Sequence, residues 1–183
     1  MNNKDIRKQI TKEISEGAGK SALYNQYKDQ LNDENLRAML ASRPSFKLWK
    51  RYKNVHLILS LIWGFYILVE LIGIFELMIA FNIIHLISLL LSIFVTINIW
   101  KFDGRFFLPG IVWFSVTIIR TFSELNSVFN SDVDYKAAFI FVMIYGSILI
   151  LGIYLMVYIR KHVFYYMTWF KPILNEEGEI QYE

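Results

Sequence analysis

The chain has 183 residues, of which 55% are hydrophobic and 17% aromatic, while charged residues fall to 19%, against about 25% in an average globular domain. It contains no cysteine, which excludes disulfide frameworks, thiolate metal sites and dithiol redox chemistry. The formal net charge of +3 is unevenly spread: all Lys and Arg except Arg120 and Lys136 fall within residues 1–54, 101–105 and 160–171.

The first predicted element covers residues 4–16, where Ile6, Ile10 and Ile14 stand four apart among charged residues, the spacing of one helix face. Next comes "SEGAGKSAL", residues 15–23, whose Gly-Lys-Ser resembles the end of a phosphate-binding loop. Such a loop needs a glycine five positions before Gly19, where this chain has Ile14, and it must leave a β-strand, whereas the preceding segment is helical. The expectation is therefore no nucleotide. Gly17 is read as a left-handed helix cap and Ser21 as the N-cap of a second helix. That helix, from 21 to about 31, carries Leu23, Tyr27 and Leu31 on one side. A third starts after Asn32 or Asp33, carries Leu36, Met39 and Leu40, and stops before Pro44.

Residues 1–54 thus form a small helical module with 12 Lys and Arg against six acidic residues. The basic residues are scattered except next to the membrane, and no Arg/Asn/Gln cluster lines the second helix for base readout, so nucleic acid is not expected as a partner. The junction Lys47, Lys50, Arg51 and Lys53, with Trp49 and Tyr52 between, has the composition of an anchor on anionic lipid headgroups.

Residues 55–100 carry only Glu70 and Glu76 as formal charges. That run is too long for one membrane span of about 20 residues and right for two. The expected spans are 55–75, 77–100, 106–125 and 137–159. The fold class is all-α: a polytopic, four-transmembrane-helix bundle over residues 55–160. Fifty-four residues before the first span also speak against a cleaved signal peptide. Excess Lys and Arg mark the cytoplasmic side, so both termini are expected in the cytoplasm, with a bacterial inner membrane as the setting.

Helical periodicity gathers the polar residues of the spans into seams. The first holds His56, Ser60, Trp63, Tyr66, Glu70 and Gly73, and the second Asn82, His85, Ser88, Ser92 and Thr96. The third holds Trp113, Thr117, Arg120 and Glu124, and the fourth helix offers Ala138, Tyr145 and Gly152 for close packing. An ionisable residue at membrane depth needs a partner or a watery cavity. Glu70, Asn82, His85, Arg120 and Glu124 are therefore the candidate intramembrane cluster. It is read either as a ligand or ion site or, preferably, as an Arg120–Glu70 or Arg120–Glu124 pair that makes the bundle specific.

After the spans, residues 160–171 are basic and aromatic and are expected to continue as an interfacial helix ended by Pro172, with Arg160 and Lys161 on anionic lipid. Residues 175–183, "NEEGEIQYE", read as an acidic mobile tail. His56, His85 and His162 lack metal-ligand spacing, and Ser60, Ser88 and Ser92 lack an adjacent base, so no metal, cofactor or catalytic residue is assigned. The functional expectation is a non-enzymatic scaffold or regulatory subunit that presents residues 1–42 to a protein partner. The alternative is a small oligomeric channel or transporter that uses the polar cluster.

Overall fold

The computed structural model describes residues 3–77, 83–128, 135–169, 172–174 and 180–182. It is all-helical: α1 (Asn3–Glu16), α2 (Lys20–Tyr27), α3 (Asp33–Ser42), α4 (Phe46–Leu77), α5 (Ile83–Trp100), α6 (Phe107–Val128) and α7 (Tyr135–Val163), with a 3-10 turn at Gly104–Phe106 before α6.

Three of the described helices contain segments long and apolar enough to cross a membrane, Phe46–Gly73, Gly104–Ser123 and Tyr135–Val163. The apolar part of α5, Leu86–Trp100, is shorter. Their outward faces are greasy: Leu61 is 66% exposed and Ile119 67%, a surface that suits lipid rather than water. No proline stands between Phe46 and Leu77, and α4 runs unbroken through Gly64 and Gly73 for 32 residues, or about 48 Å. The basic junction is its first turns, continuous with the apolar part.

The order of contacts sets the topology. His56 Nε2 lies 2.7 Å from the Ile99 carbonyl, and Trp100 Nε1 donates to the Ser60 carbonyl at 3.0 Å. The start of α4 therefore meets the end of α5, and the two run antiparallel. Gly110, early in α6, abuts both Ile99 and Met156, late in α7, so α6 leaves that same end and α7 returns to it. Between the helices sit Trp63, Tyr66, Phe114, Leu149 and Met156, all fully enclosed. Trp63 stacks on Phe114 with ring centres 4.2 Å apart. Gly152 lets α7 approach: a Cβ there would stand 2.6 Å from the Phe114 ring.

The N-terminal helices enclose a core of their own, Ile6, Ile10, Ile14, Leu23, Tyr27, Leu36 and Leu40. Gly17 has φ +105. Its N–H bonds the Ile14 carbonyl while that of Ala18 bonds Glu13, the paired pattern by which a left-handed residue closes a helix. Helix α2 then begins one residue earlier than expected, with Gly19 in extended backbone as its N-cap and no side-chain cap. Ser21 falls inside the first turn and caps nothing. Helix α2 also ends at Tyr27, short of Leu31. Asn32 caps α3, accepting from the Asn35 N–H at 3.4 Å.

The C-terminal segment departs most from the sequence reading. Helix α7 stops at Val163 instead of running on to residue 171. One local and one distant contact hold the chain there: Arg160 Nη2 donates to the carbonyls of Met167 and Thr168 at 2.9 and 2.6 Å, closing a turn. Phe164 drops into a slot that only Gly104 leaves open, with a Cβ there 2.5 Å from its ring. The chain then folds back through bridges between Met167 and Pro172 and between Leu174 and Ile180. Residues 180–182 are a bound strap, not a mobile tail, for Tyr182 packs against both cores. Residues 175–179 lie outside the described residues.

Candidate functional site

Three of the polar seams converge on Glu70. One turn before it on α4, Tyr66 donates its hydroxyl proton to Glu70 Oε1 at 2.7 Å. From α5, Ser92 Oγ donates to Oε2 at 3.1 Å. From α6, Trp113 Nε1 donates to the Tyr66 hydroxyl at 2.8 Å. A hydroxyl has one proton. With both committed to the carboxylate, the 3.2 Å approach of Tyr66 to Ser92 is a contact between two oxygens that face the same anion.

Beside this network lies a cleft of about 290 Å³, lined among others by Glu70, Ser88, Trp113, Arg120, Phe141 and Tyr145. Tyr66 is part of its wall, and behind it the Trp63, Tyr66 and Phe114 rings are in mutual contact and fully enclosed. Arg120 stands seven residues, or roughly 10 Å, beyond Trp113 along α6, and Glu70 stands four residues, or roughly 6 Å, beyond Tyr66 along α4. The Trp113–Tyr66 bond levels the two helices, so Arg120 sits about one turn farther from the module than Glu70 does.

Of the five cluster residues expected from sequence, Glu70 and Arg120 line this one cleft. Asn82 lies outside the described residues, as do the side chains of His85 and Glu124. Glu70 takes its hydrogen bonds from Tyr66 and Ser92, in place of the Arg120–Glu70 pair; the alternative Arg120–Glu124 pair involves a side chain outside the described residues. Other hydroxyls of the spans bond within their own helices. Ser60, Thr96, Ser115, Thr117, Thr121 and Ser147 each donate to the carbonyl four residues back, the usual sink for Ser and Thr in apolar helices. Among the described residues no group of three or more His, Asp or Glu side chains is placed to hold a metal.

At the other end of the bundle, Lys20, the lysine of the Gly-Lys-Ser stretch, is 2% exposed. Its ammonium donates to the Tyr182 carbonyl at 2.7 Å and the Tyr166 hydroxyl at 3.1 Å. Tyr166 in turn donates to the Ala41 carbonyl at 3.1 Å. Tyr182 stacks on Tyr24 at 5.8 Å, with the Arg37 guanidinium over its ring. Nearby, Asp103 is 1% exposed and caps the 3-10 turn, accepting from the Arg105 N–H, Nε and Nη2 at 3.1, 3.0 and 2.7 Å. Arg43 approaches the same carboxylate at 4.0 Å and donates to the Lys101 carbonyl.

Sequence reasoning passed over Asp103, whose one signal was its position before Gly104 in a predicted loop, and it gave Lys20 no role. Of the residues expected on lipid headgroups, Lys47, Lys50, Arg51, Lys53 and Lys161 are exposed, while the Arg160 guanidinium is spent partly on the turn after α7. No family model matches the chain, and neither a curated protein nor a solved structure matches it.

Proposed function

We propose that the chain is a non-enzymatic integral membrane protein, a four-span bundle whose basic helical module is held at the cytoplasmic face of a bacterial inner membrane as a docking platform for a partner protein. The carrying observation is the interlock of Lys20 with Tyr166 and Tyr182, reinforced by Tyr166 on Ala41. Two chain ends that meet on one side of an apolar bundle call for an even number of crossings. Helix α5, 18 residues or about 27 Å long, is near the roughly 30 Å of a hydrocarbon core, which supports counting it as the fourth span. Concentration of Lys and Arg at that end favours the cytoplasm, and exposed Lys47, Lys50, Arg51 and Lys53 suit anionic headgroups there.

A module with its own core, bolted to the bundle at Lys20 and Arg43, presents fixed surface to a partner. Exposed Arg7, Lys8 and Lys12 on α1 favour an acidic one. The second reading, a small oligomeric channel or transporter, draws support from the Glu70–Arg120 cleft. Against it stands the fully enclosed packing of Trp63, Tyr66 and Phe114 in the bundle beside that cleft. The test is purification from native membranes in mild detergent, followed by native mass determination. The docking reading expects a stoichiometric second protein that is lost when Arg7, Lys8 and Lys12 are together changed to Glu. A homo-oligomer with no second protein, and ion flux abolished by Glu70→Gln, would replace it with the second reading.

A further inference from the structure

The Glu70 cleft lies at the far end of the bundle from the module, and docking does not account for it. We propose that it is a binding site for a zwitterionic group of headgroup size, with the ammonium at Glu70 and the anionic part toward Arg120.

An ionised carboxylate offers about four acceptor positions, and Tyr66 and Ser92 occupy two. Both donors are neutral, so they orient the group and satisfy part of its hydrogen bonding without cancelling its charge. A charge among apolar helices is costly unless a counter-charge or water reaches it. The wall that faces the open cleft carries the rings of Trp113, Phe141 and Tyr145. A carboxylate beside several aromatic rings is the combination that holds organic ammonium groups, since ring faces attract cations.

Arg120 supplies the other pole. Its side chain lines the same cleft about one turn beyond Glu70, and a guanidinium suits carboxylate or phosphate oxygens. Glu70 and Arg120 thus place opposite charges on the wall of one cleft, the arrangement that a small zwitterion complements. A volume of about 290 Å³ falls at the small end of ligand pockets, which run from roughly 300 Å³ upward. It admits a headgroup or a free small solute, not a large cofactor. Phosphoethanolamine carries this chemistry, either as the headgroup of a lipid entering sideways or as a free solute.

The full-length protein is reconstituted into nanodiscs of phosphatidylglycerol alone, of phosphatidylglycerol and phosphatidylethanolamine in equal parts, and of phosphatidylglycerol with free phosphoethanolamine added. The unfolding temperature is read in each. At least one of the two phosphoethanolamine sources raises it for the natural chain. A rise with phosphatidylethanolamine only identifies a lipid headgroup, and a rise with the free compound identifies a soluble zwitterion. Glu70→Gln, which keeps an acceptor oxygen and drops the charge, weakens the apparent affinity by roughly tenfold or more. Arg120→Gln, at the exposed rim, does the same and covers the case in which Glu70→Gln fails to fold. No rise from either source, or a rise kept in full by both variants, overturns the proposal.

Discussion

Replacing Lys20 with Met tests the reading of the Gly-Lys-Ser stretch as a structural bolt. The substitution keeps a long apolar stem and removes an ammonium that is 2% exposed and bonded to the Tyr182 carbonyl at 2.7 Å and the Tyr166 hydroxyl at 3.1 Å. Hydrogen bonds from a charged donor contribute about 1.5 to 3 kcal/mol each. The shorter bond counts fully and the longer one in part, since Tyr166 still reaches Ala41; the local loss is then about 2 to 4 kcal/mol. At about 1.4 kcal/mol per tenfold, opening of the 180–182 strap increases by roughly 30- to 1,000-fold. Amide hydrogen exchange reads this directly. The Gln181 N–H bonds Ile173, and the Ile173 N–H bonds Tyr166, so both lose protection together while amides inside α7 do not. Unchanged protection at Gln181 and Ile173 would refute the reasoning.

Gly152→Ala drives a methyl to 2.6 Å from the Phe114 ring and lowers bundle stability by about 1 to 3 kcal/mol; Gly73→Ala, with nothing within 4 Å, leaves the melting temperature in detergent nearly unchanged. Equal effects at the two positions would contradict the packing described. In the module, the Tyr24 hydroxyl that donates to Asp33, helped by Arg37, holds the Asp33 carboxyl below the ordinary carboxylate range. A depressed folded value means the contribution is complete above the unfolded value of about 3.9 and is lost as pH falls through the folded one. Thermal unfolding of the N-terminal helices in an acid series therefore shows a downward limb below about pH 4 that Asp33→Asn flattens.

Local periodicity carried much of this architecture. Ile6, Ile10 and Ile14, then Leu23 and Tyr27, then Leu36 and Leu40, were three apolar stripes in the sequence and are one core in the fold. The seams that joined Tyr66 to Glu70, Ser92 to Thr96 and Trp113 to Thr117 likewise face inward, with Arg120 at the exposed end of the last, because an apolar helix turns most of its few polar residues away from lipid. Period alone could not tell which seam residues touch. Arg120 was matched with Glu70 or with Glu124, whereas the hydroxyls of Tyr66 and Ser92 hold Glu70. Contacts distant in the chain left no local trace at all. Lys20 meets its partners 146 and 162 positions away, so the pattern around it read only as one helix cap followed by the next. The C-terminal aromatics suited an interfacial helix by composition, yet Phe164 and Tyr166 are buried by Gly104, Ala41 and Lys20, none of which the segment itself reveals.

A chain without native cysteine is well suited to single-cysteine accessibility, which tests most directly whether all the basic segments and both ends share one face of the membrane. Cysteine is placed singly at Ser21 on α2, Lys101 between α5 and α6, Leu174 in the C-terminal segment and Lys136 at the start of α7, all exposed. A membrane-impermeant maleimide is applied to intact cells and to inverted inner-membrane vesicles. Four crossings with cytoplasmic ends predict labelling at positions 21, 101 and 174 in vesicles only, and at 136 in cells only. Labelling of 21 and 174 from opposite sides, or of 136 from the same side as 21, would contradict the account.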